Sequence, residues 1–451
     1  MSEAAALAAF RGVRYRKIAP AEMGRVLCPP YDVISQAQQA ELYDRHPHNA
    51  VRLEFGKTSP QDAPDDNRYT RAAATWRQWL AEGVLGCEEA PSIYLHRQAF
   101  ALPFGTPRVS QGPAGHGEMR QRGGFFCLVR LEEFERRLVL PHEGTLSAPK
   151  ADRLELMRAC QAQLSPALML FKDRSGSASR LLGAMCQGEP LVRAESAGES
   201  HTLWRCGRQD WIGEVFALLD EGPFFIADGH HRYETALNFR NEMRARFPEA
   251  PRNAAFNYVL ALLVNADDPG LVILPTHRLL RLGAEDQVVL ERLVAERFDI
   301  EPVAMGATCK EPAGVHVESL LAEQAGDGTA YAWYTAGGAF RLLKPKDPPT
   351  AGSPTDVLDV RVLHERLLDV VLSQANQTLR IKYLTDAGAA IAAVDSGEYQ
   401  AAFLLNPTPV EQVLEAGLAG ERMPGKSTYF YPKAPTGLVM SPVGPEDRAG
   451  W

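Results

Sequence analysis

Hydrophobic and polar positions repeat with more than one period along this chain, and each period predicts an element. Apolar side chains recur at helical spacing over 69–82, with Trp76 and Leu80 on one face. "SIYLHRQAF" (92–100) and "GFFCLVRL" (124–131) read as strands. Between them "FGTPRVSQGPAGHGE" (104–118) reads as a glycine- and proline-rich loop, so 92–131 is expected to form a long hairpin. Within 140–164, Leu154, Met157 and Leu164 fall near one helical face, and Pro149 suits a first turn. "PALMLFKD" (166–173) and "PFFIAD" (223–228) read as strands. "FNYVLALLVN" and "LVILPTHRLL" flank the turn signal "ADDPG", which predicts an antiparallel hairpin over 256–280. Residues 281–344 read as a small mixed segment, and "KPKDPPTAGSPT" (344–355) as a linker. A helix over about 356–375 and a strand in "QAAFLLNP" complete the pattern, without internal repeats.

Composition narrows the class. At 451 residues the chain is too long for one ordinary core, so two or three domains or sub-domains are expected. A net charge of −8 argues against broad binding to DNA or RNA, which needs a basic face. No apolar run is long enough to span a membrane. The start, "MSEAAALAAFRGVRYRK", lacks the layout of a signal peptide and reads as a frayed terminus or short helix. The seven cysteines are scattered and form no CxxC pair, which suits buried free thiols in a reducing cytoplasm.

The chemistry concentrates in "FFIADGHHRYETAL" (224–237), where an apolar run ends in Asp228-Gly229-His230-His231-Arg232 and a helical segment follows. A helix opening near Arg232 presents free N–H groups and a partial positive charge. Gly229 lets a ligand approach the backbone, and His230, His231 and Arg232 add donors. The combination describes an anion site, most simply for phosphate. Asp228 falls outside that logic; it could hold Mg²⁺, orient a histidine or accept a proton. The plainer alternative is a helix cap with solvated histidines. A second cluster follows another strand end: His142, Glu143, Thr145, Lys150, Asp152 and Arg153. A carboxylate beside a histidine can serve as a general base, and Lys150 and Arg153 could meet phosphate oxygens. Weaker candidates are Tyr31 and Asp32 in "PPYD", His277 and Arg278 in "PTHR", and Lys426 in "PGKSTYFYPK", where Ser427, Thr428 and Lys433 accompany it. "GERMPGKS" has P-loop spacing, but "TYFYPKAP" after it cannot open a helix, so the match is read as accidental. A metal site built from His142, Glu143, His230, His231 and His277 would lack any H-x-x-x-H pair.

These motifs carry a resemblance. "IADGHHRYETAL", with the upstream His142-Glu143, resembles the signature of the free serine kinase branch of the ParB/sulfiredoxin-like superfamily. "PPYDVIS", "HEGT", "LPTHRLL", "LLNP" and "MPGKSTYFYPK" resemble the motifs of a widespread, uncharacterised bacterial and archaeal family. The resemblance implies an α+β fold with a mixed-sheet core. It implies an N-terminal region (1–135), a catalytic core (136–285, with an insertion at about 174–215), a small mixed segment (286–345) and a C-terminal region (356–451) as a candidate lid. It implies transfer of a phosphoryl group from ADP or ATP, with Mg²⁺, to L-serine or a similar small hydroxyl metabolite. Glu143 would then be the general base. Asp228 would position the hydroxyl or Mg²⁺, with His231 beside it in the catalytic set. Gly229, His230, His231 and Arg232 would cradle the phosphates, helped by His142, Thr145, Lys150 and Arg153. A nucleotide-binding or nucleotide-hydrolysing regulatory module is the alternative. No nucleic-acid or membrane partner is implied, and a homodimer is left open.

Overall fold

The computed structural model describes residues 5–103, 118–220, 222–303, 313–324, 328–350, 352–374 and 380–450. Nine strands form the larger sheet: β1 (Leu7–Ala8), β2 (Ile93–Ala101), β3 (Met119–Arg130), β4 (Val139–Leu140), β5 (Ala167–Phe171), β6 (Val192–Ser196), β7 (Glu199–Cys206), β8 (Phe224–Asp228) and β9 (Tyr258–Asn265). Their spatial order is β4-β8-β5-β9-β3-β2-β7-β6, with β1 pairing the end of β3. The sheet is mixed: β4 with β8 and β5 with β9 run parallel, and the other pairs antiparallel.

The apolar runs behave as their composition requires. Every residue of β5 and β8 is buried, as expected of strands covered on both faces. Phe125 to Val129 in β3 are fully buried too, each worth roughly 1.5–3 kcal/mol for a large apolar side chain. Helix α4 (His230–Arg246) packs on β9 and β5, α3 (Ser147–Cys160) packs on α4, α2 (Arg68–Ala81) packs on α3, and α1 (Gln36–Arg45) packs on the turn Val51–Glu54. Asn67 caps α2 by accepting from the Tyr69 and Thr70 amides, and Trp76 and Trp79 are buried on its inner face. The predicted hairpin of 92–131 forms, with Tyr94 opposite Phe126; its loop at 104–117 lies outside the described residues.

A second, antiparallel sheet comprises β11 (His277–Arg281), β12 (Phe298–Val303), β13 (Tyr331–Thr335), β14 (Ala339–Pro345), β15 (Arg380–Leu384) and β16 (Ala401–Leu404), ordered β12-β14-β13-β16-β11-β15. Between the sheets, β10 (Val272–Leu274) pairs with β17 (Tyr429–Tyr431). Helix α5 covers 359–374, with a π-turn at His364–Leu368.

Several expectations need correction. The 256–280 hairpin does not form: β9 has β5 on one edge and β3 on the other, so the chain after "ADDPG" pairs elsewhere. Asp268 ties that turn to β3 instead, accepting from Gly123 N at 3.1 Å and Gly270 N at 2.8 Å. Leu164 lies beyond α3, which ends at Cys160 before Gln161 turns left-handed at φ 48°. The alanine-rich start contributes β1 rather than a helix. The linker at 344–355 is engaged at both ends, Pro345 closing β14 while Ser353 Oγ donates to Glu421 at 2.8 Å. Cys28, Cys127, Cys160 and Cys206 are buried and free, whereas Cys186 is half-buried and Cys87 exposed; Cys309 lies outside the described residues.

The segment 423–450 runs across the larger sheet's surroundings like a strap. Met423 N donates to His142 O at 2.7 Å, Thr436 N to Cys28 O at 2.8 Å, Met440 N to Val13 O at 2.9 Å and Ala449 N to Asn253 O at 2.8 Å.

Candidate active site

Strand β8 ends at Asp228, Gly229 turns at φ 92°, and α4 starts at His230. A side chain at 229 would be strained at that φ, and its Cβ would lie 2.8 Å from Arg232 Nε. The β8–β5 register slips between Ile226 and Asp228, a bulge of the kind that re-aims a side chain. Asp228 is buried, and each carboxylate oxygen meets one cation: Oδ2 the Arg232 guanidinium, Oδ1 the Lys433 ammonium. Burial alone would raise its pKa. The charges of Lys433 and then Arg232 outweigh burial and hold the carboxyl far below its ordinary value. Burial pulls Lys433 down, and Asp228 and Asp32 more than reverse it. The Lys433 ammonium also lies 4.3 Å from the centre of the Tyr429 ring. Arg232 donates its other branch to Pro166 O. Its guanidinium is therefore committed inside the protein.

The paired motif lies against this turn. His142 and Glu143 present their backbone N–H groups to His230 Nε2 at 3.3 and 3.4 Å. That places the His230 proton on Nδ1, the tautomer being assigned from its partners. Burial pushes the His230 pKa well down, in keeping with a neutral ring. His142 Nδ1 donates to Ile226 O at 2.8 Å, and its Nε2 accepts from Thr428 Oγ1 at 2.9 Å. The two histidine rings meet edge to face at 4.6 Å. Glu143 is 17% exposed. Its Oε1 accepts from Ser427 N at 3.1 Å, Thr428 N at 3.2 Å and Thr428 Oγ1 at 3.3 Å. Thr428 has one hydroxyl proton, so it serves either His142 or Glu143 at a given moment. His231 Nε2 accepts from Leu146 N at 2.9 Å, and burial lowers its pKa. Thr145 Oγ1 and Lys150 Nζ both donate to Glu234 Oε2 at 2.7 Å.

The other candidates divide. Asp32 is exposed but lies near enough to Arg232, Lys433 and His231 to favour their protonated forms. The Tyr31 ring sits 4.1 Å under the Arg153 guanidinium, which is occupied by Asp152 and Glu54. Lys426 is exposed, with a left-handed backbone at φ 61°, and its carbonyl accepts from Arg278 at 3.0 Å. Arg278 is buried without a carboxylate ion pair among the described residues, and burial pulls its pKa down to about 10. His277 stands apart, fully buried, accepting from Leu405 N at 3.2 Å and facing Glu318 at 3.3 Å. After Lys426 the chain enters strand β17 rather than a helix, as the P-loop argument required.

Two partners give weak sequence signals and a nearby third group gives none. Lys433 stood beside Lys426 with no role assigned. Glu234 follows His230 by one helical turn, a spacing that puts both on one face. Glu199 gave no signal: it sits in β7, beside a cavity of about 260 Å³ also bordered by Leu27, Val33, Tyr431 and Lys433. Burial raises its pKa to about 7 against one hydrogen bond from Gln98 at 2.7 Å.

The donor set does not fit a magnesium ion held by protein ligands. Both Asp228 oxygens already face cations, and among the described residues no group of three or more His, Cys, Asp or Glu could hold a metal. Among the described residues no helix is long and apolar enough to cross a membrane.

Several solved structures are similar to this chain. A conserved hypothetical protein from Pyrococcus furiosus matches at 16% identity and TM-score 0.35, over 70% of this chain and 95% of that one. A free serine kinase in complex with AMP matches at 15% identity and TM-score 0.36, over 72% of this chain and 92% of that one. SbnI with C-terminal truncation, from Staphylococcus aureus, matches at 8% identity and TM-score 0.33, over 70% and 87%. A likeness at this level carries no argument about activity. No curated protein matches the chain. A family model described as "Protein of unknown function (DUF1015)" matches residues 7–363, and the chain belongs to that family.

Proposed function

We propose that the protein is a cytoplasmic phosphotransferase with a ParB/sulfiredoxin-like core, moving a phosphoryl group from ADP or ATP to L-serine or a similar small hydroxyl compound. One observation carries this reading. A partly exposed carboxylate, Glu143, is fixed on one oxygen by the amides of 427–428, and its own N–H is held by His230 at the start of α4. A braced carboxylate beside a helix N-terminus with nearby cations is the equipment that phosphoryl transfer needs, since positioning and charge neutralisation dominate that reaction.

In this reading the acceptor oxygen forms the new P–O bond, the bond to the nucleotide's departing phosphate breaks, and the hydroxyl proton goes to Glu143. The free N–H groups of the α4 start, with His231 and the exposed Lys426, receive phosphate oxygens. Arg232 acts through Asp228, because its own donors are occupied. Mg²⁺ enters only as the counter-ion that the nucleotide's phosphates carry.

Phosphorus NMR of purified protein with Mg²⁺, L-serine and either ADP or ATP tests the reading. A phosphoserine resonance is expected, lost in Glu143→Gln while nucleotide binding is retained. Nucleotide hydrolysis without an acceptor would favour a regulatory module instead. Equal loss of binding and transfer in the variant would remove Glu143 from the role of base.

A further inference from the structure

One charged side chain at the cavity beside β7 lacks a counter-charge. The cavity measures about 260 Å³, the liquid share of roughly nine waters, which suits a molecule of about nine heavy atoms. It opens at α1, where exposed Gln38 and Glu41 border it. Deeper in, its walls are mostly apolar, with Leu27, Val33 and Leu42 beside Tyr429 and Tyr431. Two of its cations are already matched: Arg45 meets Glu41 at 2.7 Å, and Lys433 meets Asp228.

Glu199 is the exception. Its Oε2 accepts from Gln98 Nε2 at 2.7 Å. His201 Nε2 stands 3.7 Å from that oxygen, but burial lowers the His201 pKa to about 4, so the ring brings no charge at neutral pH. Arg122 is set behind Gln98, donating to Gln98 Oε1 at 2.6 Å and to Pro432 O at 2.8 Å. Its pull on Glu199 is weaker than the effect of burial, which raises the carboxyl to about 7. Oε1 accepts no hydrogen bond among the described residues, and it is not sealed, since the side chain keeps 19% exposure. Tyr431 lies beside this carboxyl: burial first, and the Glu199 charge second, raise its hydroxyl's pKa.

We propose that this cavity binds a small primary amine with an apolar body, the ammonium donating to Glu199 Oε1 and the body lying against Leu27, Val33 and Tyr431. A carboxylate in apolar surroundings is costly without a partner, and an ammonium supplies both the missing charge and the missing donor. The assignment does not depend on phosphoryl transfer.

Isothermal titration of the full-length protein with 2-phenylethylamine tests this, with 2-phenylethanol as the probe that keeps the shape and loses the charge. At pH 8 the amine should bind about tenfold more tightly than the alcohol, the effect of one charge-assisted hydrogen bond. Glu199→Gln still offers Gln98 an acceptor. It should leave the alcohol's affinity unchanged and abolish the preference for the amine. At pH 6 most Glu199 side chains carry a proton, which the ammonium must displace. The wild-type protein should therefore bind the amine roughly fivefold more weakly at pH 6 than at pH 8. Protons should be released at pH 6, read as a heat that follows the buffer's ionisation enthalpy, and Glu199→Gln should show neither effect. Equal affinity of the wild-type protein for the two probes, a preference retained in Glu199→Gln, an amine affinity indifferent to pH, or no amine binding up to roughly 10 mM would overturn the assignment.

Discussion

A carboxylate buried as deeply as Asp228 stays ionised because a separate cation meets each of its oxygens. Its folded pKa is depressed, so its contribution to stability is present above the unfolded value of about 3.9 and is lost as pH falls toward the folded one. Lys433→Met leaves Arg232 as the remaining ionic partner. Breaking a buried pair on one side costs about 3–5 kcal/mol. We expect a loss of that order at pH 7, shrinking below pH ~4 as Asp228 protonates in the unfolded chain; urea melts across pH would check both. Glu199 runs the opposite way. Burial raises its pKa to about 7, so the folded chain retains its proton after the unfolded chain has lost one, and stability falls as pH rises from the unfolded value through about 7. Glu199→Gln should therefore stabilise the protein more at pH 8 than at pH 5, and parallel denaturation curves at the two pH values would refute this. Gly229→Ala meets both a left-handed φ and the Arg232 side chain. A loss of about 1–3 kcal/mol is expected in the same assay.

Elements were legible where composition alone decides them. The strand, glycine and helix of 224–246 could be read because an apolar run, a residue free to adopt positive φ and a helical period stand in succession. The edges of β9 could not. "ADDPG" announces a turn but not the partner that the chain will take afterwards, and Gly270 shows why the turn bends as it does: a Cβ there would sit 2.1 Å from Gln121 O. The same limit hid the role of Arg278. "PTHR" marks a strand end, but only the fold shows its guanidinium holding the Lys426 carbonyl from the second sheet. Losing Arg278 would leave the Thr276 and Lys426 carbonyls without their donor, which costs about 1–3 kcal/mol. Arg278→Met should thus cost about 1–3 kcal/mol and, on the proposed function, reduce phosphotransfer by loosening the loop that braces Glu143. Unchanged turnover with unchanged stability would show that the clamp has no bearing on the site.

At the scale of the whole molecule, distant motifs meet because the strap of 423–450 brings them together. It reaches His142, Cys28, Val13 and Asn253 in turn, and carries Thr428 and Lys433 to the site on the way. Helical and strand periods reveal none of these contacts, since they are isolated bridges and lone hydrogen bonds between segments far apart in sequence. A chain ended after Glu421 should lose its cooperative thermal transition and bind a hydrophobic dye, and a sharp, wild-type-like melt would show that the strap is dispensable. The order of synthesis adds one consequence. Ribosomes make Asp228 and Glu143 long before the residues that neutralise and brace them. During elongation the nascent chain holds Asp228 without Lys433 and Glu143 without the amides of 427–428. The site therefore is completed only once residues 427–433 have left the exit tunnel, and messages cut short before them would yield chains without the Glu143 brace or the Lys433 counter-charge.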